Sequence, residues 1–275
     1  MTPKASRVKV ACVQNSATDD QDANITRVTD LVRQAHAQGA ELICMPEFFA
    51  YLARRDTDYI TGGYVEEEHP VLSHFQTEAK ALGTWMLLGS LAVRAGTDKV
   101  NNRSYLLRPD GTIAATYNKI HLFDVNLSDR ESYRESSTVA PGDALGLAET
   151  PWGKVGMTVC YDVRFAYLYR ALAQAGAGII TVPAAFTRKT GEAHWHVLLR
   201  ARAIETGCYI VAPGQCGIRP WGRATFGHSL IVDPWGTILA DAGPNEGIAI
   251  AELDLDRIET VRQQIPALLH DRPFR

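Results

Sequence analysis

Of the five cysteines in this 275-residue chain, one stands where a thiol can do chemistry. Cys160 closes an apolar run within V-G-M-T-V-C-Y-D-V-R-F, residues 155–165. Val155, Met157 and Val159 alternate with smaller or polar neighbours, the period of a strand with one face in a core. Past Cys160 the period changes. Phe165, Leu168, Tyr169 and Leu172 recur at three- and four-residue steps, as one face of a helix does, and Asp162 is a residue type that caps a helix. A thiol at a strand-to-helix turn is presented outward, beside unpaired helix N–H groups that lower its pKa and can hold an oxyanion. That is a nucleophile's position, although a free cysteine more often behaves as a small buried hydrophobe.

Two more polar residues lie among apolar ones. Glu47 follows a short apolar run in P-E-F-F; an exposed glutamate is its ordinary reading, but Phe48, Phe49 and Tyr51 would partly desolvate the carboxylate and raise its pKa toward the range of a general base. Lys119 sits in Y-N-K-I-H-L-F. A solvated strand-end lysine is the common case; burial among these neighbours would demand an anion, and Glu47 and Glu135 are the candidates. His121, in the same run, reads as structural. His194 and His196 form an H-x-H pair at the start of a helical pattern, where i and i+2 face apart and no third ligand is evident, so no metal is assigned.

The elements that must position these groups form a layered α/β pattern. Strand-like alternation over 8–13, a helical face through Ile25, Val28, Leu31, Val32 and Ala35, and a second strand over 42–45 make the first unit. Residues 53–68 read as a loop able to wall a pocket, 70–81 as a helix and 85–93 as a strand. Arg108-Pro109-Asp110-Gly111 turns a hairpin between 104–107 and 112–117. Residues 127–140, with Glu135 among them, read as a long loop. Then come a strand over 178–182, a loop over 187–193, a helix over 194–206, strands over 209–212, 225–232, 237–240 and 248–253, and a helix over 255–264. The short basic tail past Pro266 is of a kind that packs on a partner subunit. The sequence shows neither a linker nor an internal repeat, and one domain over 1–275 is the simplest organisation.

Composition narrows the partners. With 46% hydrophobic and 21% charged residues the chain is of ordinary globular type. A net charge of −3 leaves no footprint for nucleic acid or an anionic membrane, which points to a small-molecule partner. The cysteines lack C-x-x-C and zinc-ligand spacing, so neither a disulfide framework nor structural zinc is expected. No leader-like apolar segment and no run of about 18 apolar residues occurs, which reads as cytoplasmic and makes the sequons at Asn24, Asn102 and Asn126 chance matches.

Three separated motifs, P-E-F-F at Glu47, Y-N-K-I-H-L-F at Lys119 and V-C-Y-D-V-R-F at Cys160, together resemble the nitrilase or carbon–nitrogen hydrolase superfamily in order and spacing. R-E-S-S-T at Glu135, T-G-E-A-H-W over 190–195, L-L-R-A-R-A-I-E-T over 198–206, G-H-S over 227–229 and D-P-W-G over 233–236 extend the resemblance over essentially the whole chain. It implies a four-layer αββα sandwich, commonly a homodimer, with Glu47, Lys119 and Cys160 as catalytic set and Glu135 as supporting glutamate. The Tyr161 N–H would join Lys119 in holding the oxyanion, and no metal or organic cofactor is implied. The chain is most similar to the Nit branch, which implies hydrolysis of deaminated glutathione to 2-oxoglutarate and cysteinylglycine, or ω-amidase action on 2-oxoglutaramate. L-L-R-A-R-A-I-E-T-x-C-Y and Gln215-Cys216-Gly217 resemble the first more. Either substrate carries a carboxylate, for which Arg164 and Thr190, with Phe186 beside them, are the expected binding residues, a structural ion pair being the other reading of Arg164. The chain departs from the family pattern at Ala166-Tyr167, in place of Pro-Glu, and at His194-Trp195-His196, in place of His-Trp-Glu. Nitrile or carbamoyl hydrolysis remains open to the same residues. A non-catalytic scaffold or a thiol redox sensor would be the readings of another class.

Overall fold

The computed structural model describes residues 6–128 and 131–273. Strand β1 (Arg7–Gln14) leads through helix α1 (Gln21–Ala37) to β2 (Leu42–Cys44), and α2 (Asp58–Thr61) and α3 (Pro70–Leu82) lead to β3 (Trp85–Arg94), β4 (Val100–Leu107) and β5 (Ile113–Asn118). A small hairpin, β6 (Asp124–Ser128) and β7 (Glu131–Arg134), follows, and then β8 (Gly146–Thr150) and β9 (Gly153–Met157). The rest is α4 (Ala166–Gln174), β10 (Ala177–Thr181), α5 (Arg188–Thr206), β11 (Tyr209–Ala212), β12 (Leu230–Val232), β13 (Ile238–Asp241), β14 (Gly247–Asp254) and α6 (Asp256–Gln264).

Two six-stranded sheets result, ordered β14-β1-β2-β3-β4-β5 and β13-β12-β11-β10-β9-β8. Each has three parallel strands, β1 to β3 in one and β9 to β11 in the other, two antiparallel strands beyond the third and one antiparallel strand beside the first. The strand senses thus repeat although the sequence shows no repeat.

Alternation sets the layers. Along β1, Val8, Val10 and Cys12 join Leu42 and Leu87 against Val155, Met157 and Ile180 of the second sheet. Ala11 and Val13 turn the other way, with Ile43 and Met86, to Val28, Leu31 and Val32 of α1 and Phe75 of α3. On the far side Leu168 and Leu172 of α4 and Trp195 and Leu199 of α5 cover the second sheet. The order is helix, sheet, sheet, helix, as the resemblance implies. Local signals fix the helix ends: Asp20 caps α1 by accepting the Ala23 N–H at 3.0 Å, and Gly83 stops α3 at φ 61°.

Several boundaries differ from the sequence reading. Helix α5 begins at Arg188, so most of the expected loop over 187–193 is its first turns. The expected loop over 127–140 holds β7, the end of β6 and a 3-10 turn over Glu135–Ser137, with residues 129–130 outside the described residues. The last strand before the Asp233 turn is confined to β12, and β8 escaped the sequence reading. The tail lies against its own chain, where Arg170 of α4 donates to Ala267 O at 2.9 Å and Gln174 to Leu268 O at 3.2 Å; its last two residues lie outside the described residues.

Candidate active site

Cys160 follows β9 on a backbone that few side chains adopt, φ 49°, after an extended Val159. A left-handed non-glycine residue costs about 1–2 kcal/mol, so its surroundings must hold it. They do so through hydrogen bonds. The Cys160 N–H donates to Pro183 O at 2.8 Å, and Asp162 accepts from the Val159 N–H and the Tyr117 hydroxyl, both at 2.8 Å. Its other oxygen takes the His121 N–H at 3.1 Å and the His121 ring Nδ1 at 2.7 Å. Asp162 is therefore a brace for the elbow and not the helix cap expected: a 3-10 turn over Cys160–Arg164 intervenes, and α4 starts at Ala166. His121, stacked on Phe165 at 3.6 Å between ring centroids, is structural as expected.

Glu47 is set by a second elbow past β2. Phe48 has φ 51°, and its N–H donates to Ser90 Oγ at 3.1 Å. Gln215, beyond β11, reaches across to Glu47 O at 2.9 Å and Phe48 O at 3.0 Å. Beneath the turn a Cβ on Gly89 would lie 2.0 Å from Met45 O and 2.3 Å from Pro46 O. Only glycine lets β3 pass this close, and the β3–β4 register shifts at that place.

Lys119, just past β5, brings the two carboxylates together. Its Nζ donates to Glu47 Oε1 at 2.9 Å and to Glu135 at 2.9 and 3.1 Å. The sequence offered Glu47 or Glu135 as its anion; the structure supplies both. Asn102 of β4, dismissed above as a chance sequon, is fully buried and donates to Glu47 Oε1 at 2.9 Å and to Glu135 Oε1 at 3.0 Å. Glu47 Oε2 accepts the Ala185 N–H at 2.8 Å, and Glu135 Oε2 accepts the Phe123 N–H at 2.6 Å. No sequence signal beyond Asn102's place on an alternating strand could have found it.

Charge states follow from these partners. Burial pushes Glu47 up, as expected above, but Lys119, the Ala185 N–H and Asn102 outweigh it and hold the carboxyl below its usual value. Burial pulls Lys119 down, but Glu135 and Glu47 more than reverse that and raise it well above the ordinary lysine value. Burial and the Glu47 charge push the Cys160 thiol well up, against Lys119. The helix-end lowering expected for this thiol is overridden. At neutral pH the resting set is carboxylate, ammonium and neutral thiol.

These groups line a cavity that opens to solvent, with about 640 Å³ of empty space when its mouth is counted. Tyr161, Phe186 and Thr190 line it too, Thr190 from the first turn of α5, where it shares a 2.8 Å hydrogen bond with Thr187. Arg164 is not among the lining residues. Its guanidinium lies over the rings of Tyr161 and Phe186, 5.8 and 5.3 Å from their centroids, and meets His194 Nδ1 at 3.3 Å. Arg223, which the sequence reading passed over, lines the cavity with Tyr59 and Tyr133.

Away from the cavity, His196 of α5 finds the third group that the sequence could not show. Its Nε2 lies 3.1 Å from Asp241, which also meets His228 Nδ1 at 3.0 Å. The ligand atoms of this trio lie within 4.8 Å of one another, a spacing able to take a metal ion, while His194 is turned to Arg164.

A cysteine, a glutamate and a doubly paired lysine at the ends of strands from two stacked sheets define an α/β-sandwich hydrolase. The model of the carbon-nitrogen hydrolase family matches residues 9–263, and the chain belongs to that family. It is 42% identical to the deaminated glutathione amidase of Homo sapiens, over 96% of this chain and 82% of that one. Against the protein of the same name from Synechocystis it is 41% identical, over 94% of this chain and 96% of that one. Among solved structures it is similar to Saccharomyces cerevisiae Nit3, a member of branch 10 of the nitrilase superfamily, with TM-score 0.87 and 30% identity over 98% of this chain and 97% of that one.

Proposed function

We propose that the whole chain forms one catalytic domain, an amidase that works through a thioester on Cys160, with deaminated glutathione as substrate. The observation that carries the chemistry is the Lys119 ammonium clamped between Glu47 and Glu135 beside a thiol on a left-handed elbow. Glu47 has about four lone-pair sites. Lys119 and Asn102 share one oxygen and the Ala185 N–H takes a place on the other, so the fourth site is free for the proton of Cys160.

As Sγ bonds to the amide carbon, its proton passes to Glu47. The carbonyl oxygen becomes an oxyanion facing Lys119 Nζ and the Tyr161 N–H, whose neighbours Cys160 and Asp162 donate elsewhere, to Pro183 O and Val159 O. Collapse breaks the C–N bond, and Glu47 returns the proton to the departing amine. Water, deprotonated by Glu47, then attacks the thioester, and the thiolate leaves with that proton to restore the thiol. Glu135 keeps Lys119 charged throughout.

The substrate rests on the relatives' name and on the motifs that resemble that group. A homodimer fits the apolar outer face of α5, where Val197 and Ile204, two turns apart, are 66% and 52% exposed. A reducing, cytoplasmic setting fits five free thiols. Among the described residues no helix is long and apolar enough to cross a membrane.

The test is steady-state release of 2-oxoglutarate from deaminated glutathione and from 2-oxoglutaramate, with wild type and Cys160→Ser. A kcat/KM at least about tenfold higher for the larger substrate, ~1.4 kcal/mol of transition-state binding, supports the assignment. The reverse preference makes the protein an ω-amidase, and turnover of neither overturns the substrate assignment.

A further inference from the structure

Among the described residues, one cation on the cavity wall has no hydrogen-bonding or ion-pair partner for its side chain. Arg223 is half-buried on the wall, its guanidinium 5.9 Å from the centroid of the Tyr133 ring. Its Nε is buried without a hydrogen-bond partner, and among the described residues no ion pair or side-chain hydrogen bond engages the group. A buried guanidinium N–H left without an acceptor is costly, and a folded protein tolerates that cost where a ligand supplies the acceptor.

The neighbouring arginine shows the contrast. Arg219, four residues earlier in the same loop, is 2% exposed and fully committed. It donates to Ala17 O at 3.0 Å, Cys216 O at 2.8 Å and Thr225 Oγ1, and to Gln215 Oε1. All these acceptors are neutral, so its positive charge is not cancelled and adds to that of Arg223. The loop is pinned on both sides of Arg223: Arg219 N–H donates to Arg223 O at 2.9 Å, and Arg188 N–H to Ala224 O at 3.1 Å. The backbone that carries the fork is therefore held in place before any ligand arrives, while the guanidinium itself rests only against the Tyr133 ring. Asp56, the one other acid on the cavity wall besides Glu47 and Glu135 among the described residues, is exposed and makes no ion pair with it.

We propose that Arg223 grips a substrate carboxylate in this cavity, so that the enzyme selects amides bearing an anionic group. The proposal rests on the amidase reading of the same site and deepens it. Guanidinium and carboxylate match as a two-pronged pair, a geometry that lysine cannot reproduce. Arg164, unlike Arg223, has a partner in its own chain, meeting His194 Nδ1 at 3.3 Å.

Two measurements on the full-length protein test it. In the first, kcat/KM is compared for wild type, Arg223→Gln and Arg223→Lys on 2-oxoglutaramate, deaminated glutathione and uncharged butyramide. The glutamine variant should lose at least tenfold more on the carboxylate-bearing amides than on butyramide, chiefly through KM, and lysine should recover only part of the loss. Equal losses on charged and uncharged amides overturn the proposal. In the second, 2-oxoglutarate and cysteinylglycine are titrated calorimetrically into Cys160→Ala and Cys160→Ala/Arg223→Gln protein. Loss of 2-oxoglutarate affinity assigns Arg223 to the acyl-side carboxylate, and loss of cysteinylglycine affinity assigns it to the leaving-group carboxylate. Unchanged affinity for both overturns it. Because binding needs no turnover, an inactive protein that still binds through Arg223 refutes the amidase reading alone.

Discussion

Replacing Glu135 by glutamine keeps the shape of the Lys119 clamp and removes one of its charges. Glu135 meets Lys119 Nζ at 2.9 and 3.1 Å and is the leading electrostatic cause of the raised lysine pKa. Two unit charges about 4 Å apart interact by ~4 kcal/mol at an effective dielectric near 20, and the amide of glutamine retains part of that as a neutral hydrogen bond. A hydrogen bond to a charged group is worth about 1.5–3 kcal/mol against about 0.5–1.5 for a neutral one, so the differential is about 1–1.5 kcal/mol, or roughly 5- to 13-fold in kcat/KM. The sign of the pH effect is fixed as well. Lys119 is raised when folded, so its pairing stabilises the protein below the unfolded lysine value and is lost as pH rises through the folded one. With Glu135 neutral, the burial that pulls Lys119 down is opposed chiefly by Glu47. The basic limb of the kcat/KM profile should therefore move toward neutral pH in Glu135→Gln, and Glu135→Asp should restore part of it. A Glu135→Gln enzyme within about threefold of wild type, with its basic limb unmoved, would refute the claim that Glu135 keeps Lys119 charged.

Four further outcomes follow from the same geometry. Asp162→Ala leaves the Val159 N–H, the Tyr117 hydroxyl and two His121 donors without their acceptor; urea denaturation should show a loss of at least about 3 kcal/mol, with kcat falling as the Cys160 elbow relaxes. Gly89→Ala forces a Cβ onto Met45 O and Pro46 O, so the strand end moves with Glu47; activity should fall more than the ~1–3 kcal/mol of overpacking seen in the thermal midpoint, and a normal kcat would disprove the coupling. Lys119→Met leaves Glu47 and Glu135 buried without their cation and should cost about 3–5 kcal/mol at neutral pH. Glu47 is held below its ordinary value, so its pairing stabilises the fold above the unfolded glutamate value and is lost as pH falls through the lowered one; Glu47→Gln should flatten that acid limb in a stability–pH series.

What could be read in the sequence was whatever lay within a few residues of its own explanation. Cys160 announced itself because the hydrophobic period changes beside it, and Glu47 because a carboxylate stood next to Phe48 and Phe49. That Lys119 needed an anion was legible; that it meets Glu47 from 72 residues away is a property of the sheet order. Asn102 went unread because its purpose, two carboxylates from distant segments, exists only in the folded sheet. The pKa direction of Glu47 failed for the same reason: neighbours in sequence supply burial, whereas the opposing cation and N–H come from elsewhere. Arg223 belongs to a loop without periodicity, and the start of α5 was missed because Thr190-Gly191 looks like a loop until Gly191 is seen packed under Phe226, where a Cβ would lie 2.3 Å from the ring.

The repeated order of strand senses in the two sheets bears on how such a molecule can be divided. Seven elements of the first half, β1, α1, β2, α3, β3, β4 and β5, correspond in order to β9, α4, β10, α5, β11, β12 and β13. The working groups do not share that symmetry. Glu47 and Lys119 end strands of the first half and Cys160 ends one of the second, so a fragment holding either half owns the base or the nucleophile and never both. The same division makes the protein a natural candidate for fragment complementation, in which regained turnover reports that two separate pieces have rebuilt the seam between the sheets.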